Sequence, residues 1–182
     1  LAAVQSLRSG DFAHAVEGFR TALASDPNSE EALFYLGESL YFSGDLDQAS
    51  ALMAEVARRD PGMPAPHYYL GRAAFDRGRL PEAFSELREA NRLDSGLPMV
   101  HYYLGLVYQS HGQPYPATLE FSKALEEDPH LFLAAYSLAW VDTHALNRPG
   151  EAAAALGRLP SDLKDPGLAR KVRALRKALA SR

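Results

Sequence analysis

Apolar and polar residues follow the 3.6-residue rhythm of amphipathic helices along most of this chain, and the rhythm itself repeats. In "EEALFYLGESLYFS" (30–43), Leu33, Leu36, Gly37 and Leu40 stand at i, i+3, i+4 and i+7, so they share one helix face. The phrase returns as "HYYLG" at 67–71 and 101–105, and more loosely as "YSLA" at 136–139, always on a 34-residue step. Seven residues after Gly37, Gly71 and Gly105 come Gly44, Gly78 and Gly112, and twelve residues after them come Ala49, Ala83 and Ala117. Four further on stand Met53, Leu87 and Phe121, then the small residues Val56, Ala90 and Ala124. One period upstream the ladder continues as Gly10, Ala15, Phe19, Ala22 and Pro27. Each period therefore predicts two helices of about fourteen residues joined by a tight turn.

Local chemistry agrees with that reading. The small residues Gly37 and Ala49 let paired helices approach closely, and Gly44 permits the turn between them. Asp11 and Asp45 are suited to cap the second helices, and Pro81 suits a first helical position. A single helix pair cannot bury its own apolar face, whereas stacked neighbours can. The predicted fold is all-α, a solenoid of antiparallel helix pairs. Its parts are a partial first repeat with a complete second helix (1–29), repeats at 30–63, 64–97 and 98–131, and a degenerate repeat at 132–164. A basic amphipathic helix at 165–182 follows. In the degenerate unit the turn "NRPGE" is one residue longer and the second helix, about 150–158, is short.

The spacing of Leu36–Gly37, Ala49, Met53 and Pro61, with its later copies, resembles the tetratricopeptide repeat, whose signature is W-x2-L-G-x2-Y, then A-x3-F, then P, in 34 residues. The resemblance covers about 1–160. Leu33, His67, His101 and Ala135 replace the leading tryptophan, and the tyrosine survives only as Tyr108, with Leu40 and Ala74 elsewhere. It implies a right-handed superhelix whose concave groove holds a peptide or a partner helix.

The face of each first helix turned away from the paired core carries Phe34, Tyr68, Tyr102 and Tyr136 at position five. Position nine adds Glu38, Arg72, Leu106 and Trp140, and position twelve adds Tyr41, Phe75 and Gln109. With aromatics only 10% of the chain, that face is unusually aromatic. Two readings stand: the rings pack between adjacent first helices, or they line a groove for an apolar or amphipathic partner segment. The family's carboxylate clamp would require Lys, Asn, Asn, Lys and Arg on this face, where Arg72 is the basic residue present.

Composition narrows the field. Residues 157–182 carry net +6, leaving −10 for the rest, and an acidic body disfavours a nucleic-acid surface over most of its length. The apolar stripe Leu168, Val172, Leu175 and Leu179, opposite Arg170, Lys171, Arg173, Arg176 and Lys177, predicts a capping helix; a basic arm for a partner or anionic surface is the other reading. No run of apolar residues has the length of a membrane span, so membrane insertion is not expected. The absence of cysteine rules out disulfides and thiol catalysis.

His67 and His101, one repeat apart, are too distant to share a metal ion and read as packing replacements for tryptophan. No phosphate loop or nucleophile–base cluster is evident, so no catalysis, cofactor or metal is expected. Leu1 opens in what reads as the middle of a helix, which suggests a piece of a longer chain. The Ala-, Arg- and Leu-rich wording suggests a bacterial source. The function expected is a protein–protein interaction scaffold. A regulatory or substrate-docking arm of a multidomain enzyme is the second reading, and self-association through the repeat ends a third.

Overall fold

The computed structural model describes residues 2–181. Among them it holds eleven α-helices and no strand. They are α1 (Ala2–Ser9), α2 (Phe12–Ser25), α3 (Glu30–Ser43), α4 (Leu46–Arg59), α5 (Pro64–Asp76), α6 (Leu80–Leu93), α7 (Pro98–Ser110), α8 (Pro114–Glu127), α9 (Phe132–His144), α10 (Pro149–Gly157) and α11 (Pro166–Ala180). Two compact units divide between Ser95 and Gly96, the first holding α1–α6 and the second α7–α11. In each unit, consecutive helices pack on one another, most extensively within the hairpins α3–α4, α5–α6, α7–α8 and α9–α10.

Helix boundaries follow from local bonds. Asp11, Ser29, Asp45 and Asp165 each accept a hydrogen bond from the backbone N–H three residues on, satisfying a donor that the first turn leaves unpaired. Pro81 stands one place deeper than expected, because α6 begins at Leu80. The second helical position also lacks an intrahelical acceptor for its N–H, so proline costs nothing there. Gly44 closes α3 at φ +92°, and Gly112 holds φ +68° in the turn after α7. The fourth hairpin has no glycine at its turn; Asn147 takes the left-handed conformation at φ +52° instead. Asparagine tolerates that region better than most side chains.

The hairpins close over their small residues. A Cβ on Gly71 would lie 2.7 Å from Leu87 Cγ and 3.1 Å from the Leu87 backbone nitrogen, and one on Gly105 would meet the Phe121 ring at 2.5 Å. Leu87 and Phe121 are completely buried, so neither can swing aside. On Gly37 the nearest atom is the Met53 methyl at 3.0 Å, the movable end of a flexible chain.

His67 and His101 do more than fill the tryptophan place. His67 Nδ1 lies 2.8 Å from Glu86 Oε2, and His101 Nδ1 lies 2.7 Å from Glu120 Oε2. An ionised carboxylate only accepts, so the imidazole N–H donates. The two bonds repeat with the 34-residue period and pin each first helix to its second. Glu120 also accepts from Lys123 at 3.0 Å. Burial pushes the Glu120 carboxyl up, but the bonds from His101 and Lys123 outweigh it and hold the carboxyl below its ordinary value. His111 and His144 behave differently: each donates from Nδ1 to the carbonyl four residues back, at 3.0 and 2.9 Å, at its helix end.

At the end of the second unit, α11 buries Leu168, Val172 and Leu175 and packs on α9 and α10. Arg176, expected on the solvent face, donates through Nη2 to the carbonyls of Leu156 (3.0 Å) and Leu159 (3.4 Å). Those carbonyls lie at the C-terminal end of α10, where the helix dipole favours a cation.

Three outcomes follow for thermal and chemical denaturation. Gly105→Ala lowers stability by about 1–3 kcal/mol through overpacking against Phe121, and Gly37→Ala costs less because Met53 yields; equal losses would refute the close-contact account. Glu120→Gln lowers stability at pH 7 by roughly 1.5–3 kcal/mol. The folded pKa of Glu120 lies below its unfolded value, so this contribution is present above the ordinary carboxylate pKa and is lost as pH falls through the depressed one. A difference that persists at the lowest pH would contradict it. Deleting 165–182 exposes the apolar surface under α11, and the truncated chain melts lower or associates in light scattering.

Candidate partner-binding site

In the second unit, α7, α9 and the start of α11 enclose a cavity of about 500 Å³. Helix α7 contributes Tyr102, Leu106 and Gln109; α9 contributes Leu133, Tyr136, Ser137 and Trp140. The first turns of α11 complete it with Asp165, Gly167, Leu168 and Lys171. Asp165 is occupied in capping α11 through a 2.6 Å bond from the Leu168 N–H. Lys171 stands exposed at the rim. Burial pushes the Tyr136 phenol up, so it stays protonated and able to donate. Trp140 stacks on His144 with ring centroids 4.6 Å apart, which fixes the indole against the helix. Gln109 Oε1 is buried without a hydrogen-bond partner, an acceptor held ready for an N–H. The arrangement can hold an apolar side chain among rings and bond a backbone amide beside it.

The first unit arranges its rings otherwise. Arg72 lies over the rings of Tyr41 (4.5 Å), Phe42 (5.4 Å) and Tyr68 (6.0 Å), and its Nη1 donates to the Tyr68 hydroxyl at 3.2 Å. The Tyr41 hydroxyl donates to Asp76 Oδ2, and the Tyr69 hydroxyl donates to Glu38 Oε1 at 2.6 Å. Burial, then the bond to Glu38, drives the Tyr69 phenol far above its usual range. Phe34 meets Tyr35 and Tyr69 edge to face at 5.5 and 5.9 Å, and Phe75 is half-buried. Glu38 and Arg72 are thus engaged inside the unit. A separate hollow of about 410 Å³ between α1, α2 and α3 takes in Glu38, together with Tyr35, Phe12 and Phe42.

Two expected groove residues sink below the surface. Tyr41 is 7% exposed because Arg72 covers its ring; Tyr102 is 9% exposed, its ring packed on Tyr103 (5.4 Å) and Phe121 (5.9 Å). Of the eleven expected residues, the larger cavity gathers Tyr102, Leu106, Gln109, Tyr136 and Trp140, while Phe34, Glu38, Tyr41, Tyr68, Arg72 and Phe75 stay in the first unit. Leu133, Ser137, Tyr35 and Phe42 also line the hollows. They occupy positions two, six and thirteen of their helices, next to the face singled out by periodicity.

Two family models described as tetratricopeptide repeat match residues 6–61 and 36–98. No curated protein matches. Solved structures share the fold. A thermophilic TPR protein of Thermus thermophilus, TTC0263, is 25% identical at TM-score 0.71, over 99% of this chain and 94% of that one. MamA from Desulfovibrio magneticus RS-1 is 19% identical at TM-score 0.73, over 97% and 92%. YrrB, described as a TPR protein with an unusual peptide-binding site, is 17% identical at TM-score 0.67, over 94% and 88%.

Proposed function

The chain belongs to the tetratricopeptide repeat family, and from that premise we propose that it is a protein–protein interaction scaffold holding an apolar or amphipathic segment in its second unit. The observation that carries this reading is the cavity of α7, α9 and α11, where Gln109 Oε1 waits unpaired among Leu106, Tyr136 and Trp140. An extended peptide suits it. Its backbone N–H satisfies Gln109, an apolar side chain enters between the rings, and Lys171 at the rim attracts a carboxylate. Tyrosine and tryptophan supply large contact area at low entropy cost. The peptide-binding site named for YrrB lends support from a neighbour in fold. In the first unit, Phe34, Tyr68 and Phe75 add a second aromatic contact, with Glu38, Tyr41 and Arg72 holding the rings in place. The reading assigns the chain no chemical step.

A peptide library selected on the chain, followed by calorimetry on the best binders, tests it. Tyr136→Ala and Trp140→Ala each weaken binding by roughly 2 kcal/mol or more, and both variants melt near the parent. Binders indifferent to both changes would sink the proposal, as would a collapse of the fold in both.

A further inference from the structure

The second unit has another hollow, of about 420 Å³, between α8, α9 and α10. The broken repeat creates it. The turn before α10 is one residue longer, so Ala152, Leu156 and Leu159 take the buried places that Ala117, Phe121 and Ala124 hold in α8, and α10 is nine residues long against fourteen in α8. Beside this shortened helix, Leu119 of α8 is 56% exposed and Tyr115 63%. Asp142 lines this hollow. Its register is that of Leu40, Ala74 and Tyr108, a core position in the other first helices. The residue is 3% exposed, and Oδ1 is buried without a hydrogen-bond partner. A buried unpaired acceptor is costly to keep and marks a place where a donor is missing.

The cations nearby leave that acceptor unmet. Arg148 is bonded to Asp142 through its backbone N–H, which donates to the Asp142 carbonyl at 2.7 Å, while its guanidinium lies over Tyr115 at 5.1 Å and acts on the carboxylate through space without a hydrogen bond. Arg158 and Glu151 are exposed at the mouth, and with Arg148 and the buried Asp142 carboxylate the hollow holds two cations and two acids, formally neutral. Arg158 is exposed and solvated, and Arg148 is engaged on the Tyr115 ring; the buried carboxylate oxygen has neither solvent nor a hydrogen-bond partner.

We propose that this hollow is a second partner site, which takes the lysine or arginine side chain of an apolar segment of another protein. The cationic head reaches Asp142 Oδ1 and its stem runs along Leu138 and Ala154. Flanking apolar residues of the same segment cover Leu119 and Tyr115, which a free amine cannot do. This site is independent of the cavity of α7, α9 and α11, and shares no lining residue with it.

The test is a titration of the ¹⁵N-labelled chain followed by NMR. Butylguanidinium and butylammonium serve as side-chain probes, butanol and butyrate as controls. The two cations shift the amide signals of Ser122, Leu138 and Asp142 saturably, and the controls do not. The capped peptide acetyl-Leu-Lys-Leu-amide binds roughly tenfold or more tighter than butylammonium, a difference of about 1.4 kcal/mol. Asp142→Asn weakens the peptide by a similar factor without lowering the melting temperature at pH 7. Burial raises the Asp142 carboxyl, with Arg148 opposing and Glu151 adding. Folding around the ionised form therefore costs stability above that pKa, and the neutral variant gains on the parent as pH rises. Should Asp142→Asn fail to fold, Ala154→Leu, which fills the mouth from an exposed position, abolishes binding instead. Equal binding by butanol, preferential binding by butyrate, a peptide no tighter than the amine, or variants that bind as the parent does would each overturn the proposal.

Discussion

The contact on which the rest depends is a missing side chain against a large one. Gly71 on Leu87 and Gly105 on Phe121 let two helix backbones approach to a separation that no Cβ fits. Because the large partner is wholly buried, the hairpin has one depth of closure. That depth fixes where the same helix turns its opposite face, and so which rings of α7 and α9 reach the cavity. The histidine–glutamate bonds lie on the same hairpins, and their 2.7–2.8 Å lengths require the helices to be held at that spacing.

Where a hairpin is cut short, the surface changes character. In the last hairpin Ala139 takes the glycine place and Leu156, one residue later than the strict period, the place of the large residue. Both are buried, so the contact itself is kept. What this hairpin loses is length, because α10 has nine residues against fourteen in α8. One side of α9 therefore faces a hollow containing a carboxylate, while the other contributes Tyr136 and Trp140 to the aromatic cavity. A hairpin that departs from the repeat thus carries polar chemistry that its regular neighbours have no room for.

Much of this was legible in the residues. The 34-residue ladder of Leu–Gly, Gly, Ala and a large apolar residue determines the helices, their turns and the glycine contacts, because those depend on spacing alone. The caps at Asp11 and Asp45 were readable for the same reason. The face of the first helices could be drawn by angle, but not how deep each ring lies on it. Tyr41 sinks because Arg72 folds over it, a contact between different helices that no single-helix projection contains. The bonds of His67 and His101 were hidden in the same way, although Glu86 and Glu120 are themselves 34 residues apart and could have announced them. Asp142 carried a sign of its own: an acid in the register of Leu40, Ala74 and Tyr108.

The His101–Glu120 bond joins residues only nineteen apart in the chain. Each hairpin's defining contacts are similarly short in sequence, as Gly105 and Phe121 show. Little loop entropy is spent before such a pair closes, so folding can begin at any hairpin and spread to its neighbours, with no distant strand to wait for. A chain built this way can be tugged open and reclosed one hairpin at a time, and the hairpin at 98–127 resists such opening with both its ring contact and the buried His101–Glu120 hydrogen bond.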